Sequence, residues 1–418
     1  MATTDMRIAM ITQWYDPEQG SAIMPGTIAR ALTQLGNVVD VVTGFPNYPD
    51  GRLYPGYRVR RYQREQLQGV TVHRAPLYVN HDANPRRRAA NYLSFAASAS
   101  AIAVTRLGKP QATLVHSTPA TAAIPAMALR ALRGTPYVVH VQDLWPQTVI
   151  ASGFLAEGQH RQVEALLHRF CDRVYHQAAS IAVTSPGMVD LIAGRGVEPR
   201  KISVIPDWAD ERHFRPATPS AEITAEFGLG RPFNVMYAGA MGELQSLEVL
   251  IDAATILRDR DDIGFILVGG GVSEPALRAR SSKARLENIR FIGHQPVERM
   301  ASVLSLGDAQ IISLKDLPIF RTTMPSKIQA TMAAGRPIIC AVAGDASDVI
   351  RDSGAGLTTT PGSAVELAEA IQRAAAMPSE QWQAYGDRGR RYYLDHLSEA
   401  SGAAALNDLL QTAVRGGT

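Results

Sequence analysis

Lysine is scarce in this chain: its 418 residues hold five lysines against 37 arginines. Cysteine is scarcer still. Cys171 and Cys340 stand far apart, without metal-ligand spacing and in apolar surroundings. That excludes a disulfide framework and a cysteine-based metal site, and predicts two buried thiols. No apolar run approaches the roughly 20 residues that cross a bilayer. No signal-peptide pattern precedes the first strand-like run, MRIAMIT, so a cytoplasmic protein is expected. The net charge is only +3, and the scattered arginines are not read as a nucleic-acid-binding block, so nucleic acid is not an expected partner. Neither a Ser-His-Asp arrangement nor a cluster of metal ligands stands out, and no metal site is predicted.

What is present describes a folded α/β protein. Hydrophobic residues make up 46% of the chain and charged ones 19%. The length exceeds what one ordinary core supports, so two domains are expected. Apolar runs at 7–12, 37–43, 70–74, 112–116, 137–143 and 180–185 read as strands, with helical stretches at 25–35, 86–107, 120–132 and 161–179 between them. Such alternation predicts a parallel, doubly wound sheet. The pattern lapses over 201–214 and restarts with FNVMYAGAMG at 233–242. We therefore divide the chain into a first domain over 1–207, a second over 208–390, and a helical strap over 391–418 that crosses back to the first. The helix at 86–107 opens with three arginines, Arg86, Arg87 and Arg88. It reads either as a core-packed helix with a basic first turn or as one resting on anionic lipid; its many alanines and serines favour the core.

The stretch IISLKDLPIFRTTMPSKIQATMAAGRPIICA, 311–341, organises the second half. It reads as strand, polar loop, helix and strand, with Pro325 where the helix starts and Gly335 and Pro337 where it stops. A loop at the carboxyl end of such a strand is where open α/β sheets bind ligands. The first turn of a helix favours an anion, and Lys327, one of the five lysines, sits in that turn. A cation there opposes the helix dipole unless an anion is near, so a phosphate is the expected neighbour. Two more strand-end loops, Gly239-Ala240-Met241-Gly242 and Gly269-Gly270-Gly271, allow close backbone approach to a ligand. Neither has the G-x-G-x-x-G spacing of a dinucleotide site. In the first half, Gln142-Asp143-Leu144-Trp145 again ends a strand. Asp143 there either faces a cleft or caps the next helix, and His116 is either a cleft residue or a satisfied turn histidine.

These residues fall into motifs with a family likeness. QWYDPEQGSA, TGFPNYPDG, VQDLWPQT, IPDWAD, YAGAMGELQSLEVLIDA, and SLKDLPIF followed by MPSKIQATMAAGRPI resemble, in order and spacing, the retaining glycosyltransferases of the GT-B fold, family 4, in the WcaI/WbuB-like subgroup. The resemblance covers nearly the whole chain. It implies two Rossmann-like domains facing a cleft, the second binding a nucleotide-sugar donor (GDP or UDP) and the first a small-molecule or lipid-linked acceptor. It implies no cofactor or metal, because a helix start and basic side chains take the diphosphate charge. The donor would lie on Gly239, Ala240, Met241, Gly242, Gln245, Gly270, His294, Thr322, Thr323, Met324, Pro325, Ser326 and Gln329. Gly20, Ser21, His116, Gln142 and Trp145 would meet the acceptor, and Asp143, Lys327 and Arg321 would serve transfer. A peripheral contact of 86–107 with the inner face of a membrane accompanies the lipid-linked option.

The sequence also departs from the family pattern. The two acidic residues that the family places eight apart fall on Thr322 and Ala330, its glycine-loop Arg and Lys on Ala240 and Gln245, and its first-domain His on Gln142. Lys327 and Arg321 then look like the remaining phosphate cations. A catalytically inactive nucleotide-sugar-binding regulator is the rival that the missing acidic pair favours.

Overall fold

The computed structural model describes residues 6–18, 22–82, 84–148 and 161–416. The chain forms two compact units. One is Met1–Pro206 together with Gly402–Thr418, and the other is Asp207–Ser401.

Eight strands build the sheet of the first unit: β1 Arg7–Ile11, β2 Val38–Gly44, β3 Gln63–Leu67, β4 Val70–Ala75, β5 Ala112–Ser117, β6 Tyr137–Val141, β7 Ser180–Val183 and β8 Ile202–Val204, in the order 3-4-2-1-5-6-7-8. Its helices are α1 Met24–Gln34, α2 Pro85–Arg106, α3 Ile124–Arg133, α4 Arg161–Gln177 and α5 Gly187–Ala193. All pairings are parallel except β3 with β4. The central strands β5 and β6 are buried along their whole length, which is why they read as unbroken apolar runs. The β3 strand, QREQL, is polar and only partly covered. An edge strand of charged residues resists pairing with other chains, and it gives no apolar signal in the sequence.

The second unit has six strands in the order 11-10-9-12-13-14, all parallel: β9 Phe233–Ala238, β10 Ile263–Val268, β11 Ile289–Ile292, β12 Ala309–Ser313, β13 Ile338–Ala341 and β14 Gly356–Thr358. Its helices are α6 Ala221–Glu226, α7 Glu248–Ile256, α8 Glu274–Lys283, α9 Met300–Ser305, α10 Ser326–Ala333, α11 Asp345–Ser353, α12 Ala364–Ala376 and α13 Ser379–Tyr392. The last helix, α14 Glu399–Gly416, begins in this unit and continues into the first. There the Asn37 side-chain amide donates to Asn407 Oδ1 at 3.0 Å.

A buried guanidinium and a buried carboxyl group, the latter raised to about 7 by its burial, fix the loops above β1 and β2. The Arg74 guanidinium, fully buried, donates to Glu65 Oε1 at 2.7 Å and to the carbonyls of Gly44 and Asp16. Glu18 accepts from the backbone N–H groups of Tyr15, Asn47 and Tyr48 at 2.8, 2.6 and 2.8 Å. A buried charge persists where hydrogen bonds meet it, and these bonds set where both loops stand. The helix at 86–107 packs as a core element: α2 buries Phe95, Ala99, Ile102 and Ala103 and lies along α3, with the Asn84 side chain capping Arg86 and Arg87. Burial raises the Cys171 thiol to about 11 and Cys340 to about 12, so neither offers a thiolate at neutral pH.

Candidate active site

In the second unit the parallel register brings the expected donor loops to one edge of the sheet. β9, β10, β11 and β12 are neighbours with a common direction. The segments that leave their carboxyl ends at Gly239, Gly269, Gly293 and Leu314 therefore crowd together. The first two are zipped by backbone bonds, Gly239 N–H to Val268 O at 2.9 Å and Met241 N–H to Gly270 O at 2.8 Å. Gln245 folds back so that its Oε1 accepts from Gly242 N–H at 3.0 Å. Gln245 thereby shapes the loop that the family's lysine would occupy. A methyl group on Gly270 would stand 2.9 Å from His294 Nε2, which locates the exposed His294 on the same rim.

Lys327 reaches this rim from α10. That helix starts at Pro325, with no side-chain cap and no acidic residue in its first turn. The lysine stem lies against Gly239, where an added Cβ would come within 2.3 Å of its Cε. The ammonium sits 5.2 Å from the centroid of the Tyr237 ring, a cation–π contact. Burial alone pushes its pKa below the ordinary lysine value, and no carboxylate of the described residues supports the charge. A buried cation without a counter-ion is costly unless a bound anion completes it. Tyr237 went unread in the sequence, although its place two residues ahead of Gly239 on an alternating strand marks it as facing one side of the sheet.

Arg321 is placed differently. Its exposed guanidinium pairs with Asp316 at 3.2 Å, so the structure gives it a carboxylate partner rather than a role as an isolated phosphate cation. The hydroxyls of Thr322 and Thr323 donate to Ile319 O at 3.3 and 2.9 Å, tightening the turn before Pro325. Met324 is buried, Ser326 is exposed and opens α10, and Gln329 is buried one turn on.

In the first unit, Gln142, Asp143 and Trp145 follow β6 at the carboxyl edge of the sheet. The Thr118 hydroxyl, just past β5, donates to Asp143 Oδ2 at 3.5 Å. Trp145 is buried and meets the Tyr92 ring edge-on, with centroids 5.9 Å apart. His116 does not line an open cleft. It lies within β5, fully buried, its ring 5.9 Å from that of His140, the partner residue on β6. Gln142 reaches the same His140 at 3.3 Å, so Gln142 and His116 both serve a buried histidine that the sequence reading passed over. Gly20 and Ser21 fall outside the described residues. Exposed Arg58, Arg60, Arg61 and Arg64 do form a basic stretch interleaved with Tyr57 and Tyr62. Its tyrosines have internal contacts, Tyr57 beneath Arg74 and the Tyr62 hydroxyl on His73 Nδ1.

Burial holds the His116 pKa down to about 3, with the His140 charge as the smaller cause. The folded protein therefore refuses a proton that the unfolded chain takes up near pH 6.5. Stability from this group is complete above that pH and is lost as pH falls toward the folded value. Urea titrations should show wild-type protein losing about 2 kcal/mol from this group between pH 6.5 and 5. The His116→Leu variant should lack that component; identical pH slopes for the two proteins would refute it.

Among the described residues no group of three His, Cys, Asp or Glu stands together as a metal ligand set, and no helix is long and apolar enough to cross a membrane. A model of the glycosyl transferase 4-like domain matches residues 19–208, and a model of glycosyl transferases group 1 matches residues 232–376. The chain thus belongs to the glycosyltransferases, and its two parallel-sheet units are those of the GT-B fold. It is 28% identical, over 79% of its length and 82% of the relative's, to the putative colanic acid biosynthesis glycosyl transferase WcaI of Escherichia coli K12. Sucrose-phosphate synthase from Thermosynechococcus elongatus shares the fold at a TM-score of 0.73 and 18% identity, over 98% of this chain and all of that one. Anabaena HepE in complex with UDP and glucose does so at 0.70 and 15%, over 97% and 99%.

Proposed function

We propose that this enzyme is a retaining, metal-independent glycosyltransferase that takes a sugar from a nucleotide diphosphate donor, GDP- or UDP-linked, and places it on a small-molecule or lipid-linked acceptor. The observation that carries the reading is Lys327, a half-buried lysine whose ammonium rests on Tyr237 and Gly239, with no carboxylate among the described residues bearing on it. A diphosphate at the start of α10 would meet that charge and the positive end of the helix together. These supply the charge neutralisation that other enzymes of phosphate esters take from a metal ion.

In the transfer, the bond between the sugar C1 and the β-phosphate oxygen breaks and a bond from C1 to the acceptor oxygen forms on the same face. The acceptor proton passes to the departing phosphate, and the nucleoside diphosphate leaves. Lys327 stabilises the charge that grows on that phosphate. Asp143 orients the acceptor hydroxyl. Thr322 and Ala330 stand where the family has carboxylates, so the sugar and ribose hydroxyls are met by other groups, of which the threonines and Gln329 are the nearest in sequence. Comparison with HepE, a protein solved with UDP and glucose, supports UDP as the first base to try.

Thermal-shift titration with GDP, UDP and their sugars, in the presence of EDTA, tests the reading. One nucleotide should raise the melting temperature, and the sugar released from its donor should be transferred with unchanged anomeric configuration by NMR. No shift with any nucleotide, or activity abolished by EDTA and restored by a divalent ion, would refute it.

A further inference from the structure

Besides the residues assigned above, the carboxyl edge of the first sheet gathers a second set. Trp14 follows β1, Tyr48 follows β2 and His81 follows β4. Their ring centroids are 4.8 Å apart for Trp14–Tyr48, 5.0 Å for Tyr48–His81 and 5.9 Å for Trp14–His81. Arg88, in the first turn of α2, adjoins this cluster. Its charge bears on the His81 ring, and its Nε and Nη2 donate to the Tyr92 hydroxyl at 3.1 and 2.9 Å. The Tyr92 hydroxyl in turn stands close enough to Asp143 and to Tyr48 to feel both. A guanidinium, a carboxylate and two phenols thus lie within electrostatic reach of one another, with Arg88 hydrogen-bonded to Tyr92 and Trp145 against the Tyr92 ring. Burial, with Arg88 as the second cause, holds His81 down to about 4, so that ring is neutral at physiological pH and adds no second cation.

The arrangement has an evident chemical match. Arg88 is half-buried and held by Tyr92, so less side-chain entropy remains to be lost on binding. Its planar fork of N–H donors fits a phosphoryl group better than it fits a neutral hydroxyl. Asp143, whose charge bears on Tyr92, accepts from a hydroxyl group, that of Thr118. A helix-surface Arg–Tyr pair four residues apart also occurs as a purely structural contact, but such a pair needs neither the aromatic cluster nor the carboxylate. We propose that Arg88 reads a phosphoryl group carried by the acceptor, over a floor formed by Trp14, Tyr48 and His81, while Asp143 meets the hydroxyl to be glycosylated. This rests on the glycosyltransferase reading and narrows its acceptor to a sugar phosphate or diphosphate, borne by a lipid or free in solution.

Inorganic pyrophosphate is a probe indifferent to sugar identity. Calorimetric titration should find two sites in the wild-type enzyme, one in Lys327→Ala, one in Arg88→Gln and none in the double variant, with Arg88→Lys recovering part of the second site. Two sites persisting in Lys327→Ala, with one lost in Arg88→Gln, would remove the donor assignment and leave this one standing. A single site in wild-type protein, lost in Lys327→Ala and unaltered in Arg88→Gln, would overturn the proposal and leave the donor site intact. Two further arms separate the sources. Sedimentation with phosphatidylcholine vesicles carrying a polyprenyl phosphate, weakened about tenfold by Arg88→Gln, indicates a lipid-borne group. A soluble sugar 1-phosphate bound about tenfold less tightly by the same variant indicates a free one. Equal binding by wild-type and Arg88→Gln proteins in both arms overturns the proposal.

Discussion

Replacing Lys327 by methionine is expected to raise the melting temperature of the enzyme while lowering its turnover about a hundredfold. The two effects share one cause. In the protein without its substrate, the half-buried ammonium has given up part of its hydration and meets the face of Tyr237, 5.2 Å away. Burial lowers its pKa with no carboxylate among the described residues to offset the cost. A thioether of similar length fills the same space without that penalty, so the folded state gains. The donor diphosphate loses a charge-assisted bond of about 1.5–3 kcal/mol, roughly ten- to a hundredfold in binding or rate, and the loss grows where charge accumulates on the leaving phosphate. Differential scanning calorimetry beside single-turnover transfer assays separates the two. A variant that is both less stable and fully active would show that Lys327 is a structural residue. Such opposition between stability and activity is common at sites built for a charged ligand.

Gly269→Ala should be strongly damaging, more so than Gly239→Ala on the same rim. The new Cβ would stand 2.2 Å from the carbonyl oxygen of Gly239, and the backbone there has φ +116, a region that costs a side-chain-bearing residue about 1–3 kcal/mol even without a clash. Because the obstructing atom is backbone, relief requires the 239–242 loop to shift, and both stability and donor affinity should fall together. Gly239→Ala provides the contrast. Its Cβ meets Lys327 Cε at 2.3 Å, the flexible end of a side chain, which can turn aside. That variant should lose donor affinity more than it loses stability beyond its own backbone strain. Urea unfolding with nucleotide titration on both variants checks the pair. Gly269→Ala binding nucleotide as the wild type does would dissociate the two loops from the site.

The two parallel sheets and the glycine loops at their strand ends were legible because a parallel sheet writes its buried strands as apolar runs. FNVMYA, GFILV and AQIIS are such runs, and the glycines after the first two announce where the chain must turn closely. The Arg321–Asp316 pair was not legible, because a partner five residues away cannot be recognised from spacing on a loop; the turn at 318–322 decides it. His116, which the sequence leaves as either a cleft residue or a satisfied turn histidine, is buried in the sheet. The strand continues to Ser117, and only the register with β6 reveals a second histidine beside it. The edge strand β3 and helix α8 escaped because neither carries an apolar face: α8 buries only Leu277 and Ser281. The cluster about Arg88 draws on loops after three strands and on one helix, a convergence that no linear motif encodes.

The return of α14 bears on how the molecule is made. Gly402–Thr418 completes the unit that begins at the amino terminus, and Asn407 holds Asn37 across an interval of 370 residues. During synthesis the sheet of the first unit emerges before its segment of α14, which follows the whole of the second unit. The second unit can finish folding while the first still waits for its closing piece. A nascent chain arrested before residue 402 should therefore expose the α14 docking surface to chaperones, and truncation at that point should destabilise the first unit before the second.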